Sequence, residues 1–217
     1  MATVKRVRGP TLREERAGLT RSRIAQAARR LFASRGYGAT TLAGVAEEAG
    51  VAVQTVYAVY GSKAAILRTL REDVLNEPHA GAAFGQALAE PDAGRRLVLF
   101  ARSIRLRWEY GHDVVSFNDV AGATDPKVRK DVEELLRVRR RGLARIARSI
   151  RAELAGGLSV AQAEALLDAL TLPSLYAQLV AIHGWTPDRF EAWLAATLLR
   201  QLLGRSAGSG RLTAPRC

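Results

Sequence analysis

Residues 40–60 read Thr40-Thr41-Leu42-Ala43-Gly44-Val45-Ala46-Glu47-Glu48-Ala49-Gly50-Val51-Ala52-Val53-Gln54-Thr55-Val56-Tyr57-Ala58-Val59-Tyr60, the pattern of two short helices joined by a tight turn. Thr40 or Thr41 suits a helix N-cap, where a hydroxyl oxygen accepts from N–H groups left unpaired in the first turn. Leu42, Val45, Ala46 and Ala49 recur at helical spacing and form one apolar face. Gly50 takes a positive φ at no steric cost and turns the chain. Val51, Val56 and Val59 continue the buried face beyond the turn. Ala46 is small, which lets two helices joined by a short turn approach closely. This spacing specifies a helix-turn-helix over 41–60; an ordinary pair of core helices does not require it. The second helix presents Val53, Gln54, Thr55, Tyr57, Ala58 and Tyr60 outward with no charge among them. Gln pairs with adenine, Thr and Ala meet the thymine methyl, and tyrosine hydroxyls reach phosphates. Ser62 suits the cap of a further helix. Lys63 falls in its first turn, where unpaired N–H groups, the helix dipole and an ammonium together suit a phosphate. The expected DNA-contacting set is Thr41, Val53, Gln54, Thr55, Tyr57, Ala58, Tyr60 and Lys63.

From about Thr20 to Asp73 the chain resembles the DNA-binding domain of the TetR family of bacterial transcriptional regulators. The resemblance is carried by Ala27-Ala28-Arg29-Arg30-Leu31-Phe32, Arg35-Gly36-Tyr37, Ala39-Thr40-Thr41-Leu42, Val45-Ala46-Glu47-Glu48-Ala49-Gly50-Val51, Thr55-Val56-Tyr57 and Tyr60-Gly61-Ser62-Lys63-Ala64-Ala65-Ile66-Leu67. It implies a homodimeric, all-helical protein that binds an operator and is released by a small ligand. Two positions depart from the family's usual pattern. Ala52 stands where Ser or Thr is frequent, which weakens the recognition-helix cap by ~1 kcal/mol and removes a phosphate contact. Ala64 stands where an acidic residue is frequent.

The chain has 217 residues, 48% hydrophobic and 25% charged, enough for a buried core in one or two domains. Its net charge of +12 points to an anionic partner. Residues 1–40 hold ten basic against two acidic side chains, a local balance of +8. The single cysteine, Cys217, excludes a disulfide within the chain and fits a reducing cytoplasm. No apolar run approaches the ~20 residues of a membrane span, and the N-terminus lacks the apolar stretch of a secretory signal. The expected location is cytoplasmic, with no membrane partner.

In chain order, residues 1–19 read as a basic flexible arm, either a plain tail or one that touches DNA. Thr20 to Arg35 reads as a helix with Ile24, Ala27, Ala28, Leu31 and Phe32 inward; its Arg21 and Arg23 face either solvent or the DNA backbone. The DNA-binding domain is taken as 20–76. Residues 77–94, with Pro78, Gly81, Gly85, Pro91 and Gly94, read as the domain boundary or a flexible connection. The effector-binding and dimerisation domain then spans 77–204. It comprises helices over 93–110, 113–121 and from Asp125-Pro126 to about Ala155, then 160–183 interrupted at Pro173, and 187–203. Arg137, Arg139, Arg140, Arg141, Arg145, Arg148 and Arg151 suggest an anionic partner or a solvated helix face, and the solvated face is preferred. The last two helices carry more apolar surface than one hairpin hides, so a homodimer through about 159–183 and 187–203 is expected. Residues 205–217 read as a disordered tail.

The fold class is therefore all-α: an N-terminal three-helix helix-turn-helix domain followed by a C-terminal helical ligand-binding and dimerisation domain. No nucleophile motif, phosphate loop or metal-ligand spacing occurs, so neither catalysis, a metal nor a cofactor is expected. Phe100, Trp108, Tyr110, His112, Phe117 and Tyr176, with Asn118, are candidates to line a cavity for a small, mostly apolar effector; core packing explains them as well. The function expected is a repressor released from double-stranded operator DNA by a small molecule. The alternatives are an activator or architectural protein without an effector, and an enzyme with an appended DNA-binding module.

Overall fold

The computed structural model describes residues 11–205, apart from the side chains of 118–120 and 124. Among these the chain is helical, with no strand. It divides between Leu70 and Arg71 into two compact units.

The first unit holds α1 (Leu12–Ala39), α2 (Leu42–Ala49), α3 (Val53–Val59) and the start of α4 (Lys63–Leu75). The expected arm is helical from Leu12 onward, while residues 1–10 lie outside the described residues. A local signal accounts for the earlier start: Thr11 and Glu14 form a reciprocal capping box. Gly36 interrupts α1 at φ 81 and ψ 157, a conformation only glycine adopts readily. The break lets Tyr37 fold back on Phe32, with ring centroids 5.1 Å apart. Ile24, Ala28, Phe32, Val45, Val56, Ile66 and Leu67 form the core of this unit.

The second unit holds the remainder of α4, then α5 (Pro78–Ala89), α6 (Ala93–Thr124), α7 (Pro126–Ser149), α8 (Val160–Leu170), α9 (Pro173–Tyr176) and α10 (Pro187–Leu203). The expected flexible connection over 77–94 is instead largely helix α5. Glu77 caps it, accepting from the His79 and Ala80 N–H groups, and Pro78 occupies the first turn, where no N–H is needed. Gly81 and Gly85 lie on its exposed side, while Ala80, Ala83 and Ala87 face inward. Small residues are therefore packing groups here, not breakers.

The expected helices over 93–110 and 113–121 are one element, α6, kinked at Gly111. A Cβ at Gly111 would lie 2.1 Å from Val74 Cγ2, so the glycine permits a close approach of α4. Arg107, largely desolvated in the same crossing, donates to the Val74 and Leu75 carbonyls at 3.0 and 2.7 Å and closes the end of α4. α7 stops at Ser149, short of Ala155, and two short 3-10 turns follow. α8 and α9 are bent by 44° about the Thr171-Leu172 corner, and α9 continues as a π-helix over Ala177–Ile182. No single helix is long and apolar enough to cross a membrane. Arg105 ties α6 to α10 through Glu191 at 2.9 Å. Of the expected tail, Arg205 is described; residues 206–217 lie outside the described residues.

Candidate nucleic-acid interface

The corner between α2 and α3 follows from local chemistry. Thr41 Oγ1 accepts from the Gly44 N–H at 3.0 Å and caps α2. Gly50 adopts φ 63 at the other end. Its N–H bonds the Glu47 carbonyl at 3.1 Å and the Val51 N–H bonds the Ala46 carbonyl at 3.0 Å, so the last carbonyls of α2 are satisfied as the chain turns. Ala46 is 1% exposed and Val56 fully buried, which holds the two helices at close range. Ala52 provides no side-chain cap to α3.

Gln54, Tyr57 and Ala58 form the exposed face of α3, with Tyr57 57% exposed. Val53 and Thr55 are half-buried beside them. These five lie on one short helix with an uncharged polar surface, suited to base edges and thymine methyls. Thr41 is exposed at the start of α2, though its hydroxyl is engaged as the cap.

Two expected contacts are used inside the protein. Tyr60 is 8% exposed, and its hydroxyl donates to the Arg21 carbonyl at 3.0 Å. Arg21's guanidinium sits 4.6 Å from the Tyr60 ring centroid and also donates to Thr69 Oγ1 at 3.2 Å. Lys63 Nζ donates to the Tyr37 and Gly38 carbonyls at 2.7 and 3.2 Å and lies 4.7 Å from the Tyr37 ring centroid. The ammonium thus closes the broken end of α1. These two residue types suit a phosphate in sequence, but main-chain carbonyls took the donors instead.

Arg23 has a role the sequence did not reveal. Its guanidinium donates to the Ala49 carbonyl at 2.7 Å, bracing the turn from α1. Arg30 pairs with Glu48 at 2.7 Å on an exposed surface, a weaker tie between the same helices.

The candidate effector residues separate into groups. Trp108 is 5% exposed, and its indole N–H donates to the Thr171 carbonyl at 3.0 Å. His112 and Tyr176 face one another at 5.3 Å between ring centroids, and Tyr176 meets Phe190 at 4.9 Å. These three candidates gather where α6 faces the α8–α9 bend. Burial pushes the Tyr176 hydroxyl up to about 12. Phe100 instead stacks edge-on against Phe84 of α5 at 6.3 Å. Tyr110 is 40% exposed and Phe117 9%. The side chain of Asn118 lies outside the described residues. Arg139, placed by sequence in a solvated series, reaches Asp168 and both Thr171 oxygens, fastening the end of α8.

Residues 24–70 match the family model described as "Bacterial regulatory proteins, tetR family". No curated protein matches the chain in sequence. Among solved structures, NalD of Pseudomonas aeruginosa, the secondary repressor of the MexAB-OprM multidrug efflux pump, is similar in fold. Its TM-score is 0.67 at 22% identity, over 87% of this chain and 98% of that one. The fatty acid degradation regulator FadR of Bacillus halodurans has a TM-score of 0.68 at 16% identity, over 89% and 97% of the two chains. The SmeT–triclosan complex has a TM-score of 0.68 at 17% identity, over 92% and 99%. At these identities the structures speak to the fold alone, and the sequence match covers the helix-turn-helix unit. The N-terminal unit thus matches the tetR family of bacterial regulatory proteins, and the chain as a whole shares the all-helical fold of these solved structures.

Proposed function

We propose that the protein is a cytoplasmic homodimer that represses transcription by occupying an operator and leaves it when a small, largely apolar ligand binds the C-terminal unit. The observation that carries the reading is the α3 face. Gln54, Tyr57 and Ala58 stand exposed and uncharged on a helix fixed by the Gly50 corner and the Arg23 brace. Such a face suits the major groove, and two copies would address half-sites about one helical turn, ~34 Å, apart.

Self-association is supported by apolar surface on the last helices. Leu172 is 42% exposed and Ile182 67%, while Trp185, Trp193 and Leu199 are half-buried. A two-fold arrangement would bury this surface in a four-helix bundle. The effector role of Trp108, His112 and Tyr176 is supported by their meeting at the α6–α9 junction, where aromatic rings are joined by a few polar atoms. Ligand release follows if the effector binds the DNA-incompetent arrangement more tightly than the competent one. SmeT is described with triclosan and a Saccharomonospora viridis regulator with choline, so ligands of this size are accommodated in similar folds.

The test uses duplexes from the DNA flanking the protein's own gene, in footprinting followed by anisotropy. Tyr57→Phe should weaken specific and random duplexes alike, by removing a phosphate contact. Gln54→Ala should lose about 1–3 kcal/mol of discrimination at one base pair while leaving random-sequence affinity unchanged. Equal losses on both classes of DNA for Gln54→Ala would remove it from base recognition.

A further inference from the structure

Positive charge collects a second time, far along the chain. Residues 127–151 hold ten basic and three acidic side chains, net +7, against +8 in residues 1–40. Between Arg137 and Arg151 there are seven arginines and no acidic residue. Arg139 is committed to Asp168 and Thr171. The other six are exposed. At 100° per residue, Arg137, Arg140, Arg141, Arg145 and Arg148 fall within an arc of roughly 140°, along roughly 16 Å of α7.

An ordinary solvated helix face interleaves opposite charges at i,i+4. Here Glu134 pairs with Arg137 and lies 3.5 Å from Arg141. Arg145 lies 5.8 Å from the Phe84 ring centroid. Among the described residues, no carboxylate lies within ion-pair distance of Arg140, Arg145, Arg148 or Arg151. Neighbours such as Arg141 and Arg145, or Arg145 and Arg148, therefore repel one another, each by a few tenths of a kcal/mol. A partner bearing closely spaced anions relieves that repulsion.

We propose that the exposed arginine face of α7 is a second, sequence-independent binding surface for the phosphate backbone of duplex DNA. Successive arginines at 137, 141 and 145 advance roughly 6 Å per step, so one face spans several phosphates, which follow one another at ~3.4 Å of axial rise along each strand. Guanidinium forks grip phosphate oxygens in pairs. A membrane surface fits less well, because interfacial helices interleave their basic residues with large apolar ones. The exposed Leu136 and Val138 of α7 fall on opposite flanks of the arc instead. Single-stranded nucleic acid needs aromatic platforms, and this face offers no exposed ring among the described residues.

The experiment follows the full-length protein on a random 40-base-pair duplex by fluorescence anisotropy across a salt series. It compares Arg140→Gln/Arg145→Gln/Arg148→Gln with Arg140→Lys/Arg145→Lys/Arg148→Lys. Both sets are also placed on a Gln54→Glu/Tyr57→Glu background that disables α3. The glutamine set should weaken duplex binding at least tenfold at about 0.1 M salt and flatten the salt slope by about 2–3, while the lysine set keeps most of both. On the disabled background the residual duplex binding should vanish with the glutamine set. Four results would each overturn the proposal: an unchanged affinity and slope, no residual binding on the disabled background, an equal loss with the lysine set, or arginine-dependent capture by phosphatidylserine vesicles without any effect on duplex.

Discussion

Gly111→Ala tests how closely the end of α4 is seated on α6. The added Cβ would meet Val74 Cγ2 at 2.1 Å, Cγ1 at 3.1 Å and Cβ at 3.2 Å. Rotating Val74 moves Cγ2 away but leaves a methyl or Cβ still tight, and it abandons the χ1 that valine strongly prefers in a helix. The backbone must therefore shift, which costs about 1–3 kcal/mol. The usual advantage of alanine over glycine in a helix does not offset this, because Gly111 sits at φ −154 and ψ 29. Val74 is 3% exposed, so Val74→Ala alone should cost about 2 kcal/mol in lost burial and void. In the double variant the new methyl enters the space that valine vacated. The double should then be no less stable than Val74→Ala alone, a coupling of at least about 1–3 kcal/mol, the whole cost of Gly111→Ala. Urea unfolding followed by circular dichroism, at one fixed protein concentration because self-association is expected, supplies the four free energies. Additivity within about 0.5 kcal/mol would refute the close approach.

Ala52→Ser supplies the missing cap of α3 and should add about 1 kcal/mol, raising the thermal midpoint by about 2–4 °C in a scan; no rise would mean that the cap N–H groups are satisfied otherwise. Lys63→Met keeps the apolar stem but removes two carbonyl contacts and a ring contact. It should lower the unfolding free energy by about 1 kcal/mol while folded protein binds duplex DNA within about twofold of the parent. A binding loss at unchanged stability would restore Lys63 to the DNA backbone. Tyr176 is neutral when buried, with its hydroxyl raised to about 12 against about 10 when unfolded. Its contribution is complete below pH 10 and lost as pH rises through 12, so Tyr176→Phe should remove about 2–3 kcal/mol of the alkaline loss of stability measured by denaturant titration.

The helix-turn-helix was legible because its determinants are local. Ala46, Gly50 and Val56 fall within eleven consecutive residues, and no distant residue changes what a glycine at φ 63 does. The start of α1 was missed: the Thr11–Glu14 spacing carries a capping box, but the basic stretch with Gly9, Pro10 and Gly18 read as an arm and put the start at Thr20. Helix α5 was not legible: Gly81, Gly85 and Pro78 carry the signature of a loop, and only the tertiary arrangement shows them at the exposed or first-turn positions where they do little harm. The aims of long side chains were hidden for a related reason. Nothing near Tyr60, Lys63, Arg23 or Arg139 in sequence says that a carbonyl 26 to 39 residues away will claim the donor. Of the effector candidates, for which the sequence left cavity lining and core packing both open, Phe100, Trp108 and Tyr176 are buried. Helical spacing alone could not assign Phe100 to Phe84 of α5 and Trp108 to the Thr171 carbonyl at the end of α8.

The side chains that fasten this fold share an asymmetry. Tyr60, Lys63, Arg23, Arg107, Trp108 and Arg139 all clasp main-chain oxygens. Every residue owns such an oxygen, so one half of each clasp is written into the polymer and only the donor half into the gene. Substitution at Ala49 or Gly38 can leave its clasp whole, whereas loss of the donor opens it. The architecture is thereby anchored at a handful of letters, and the surface around them can change without unfastening the frame.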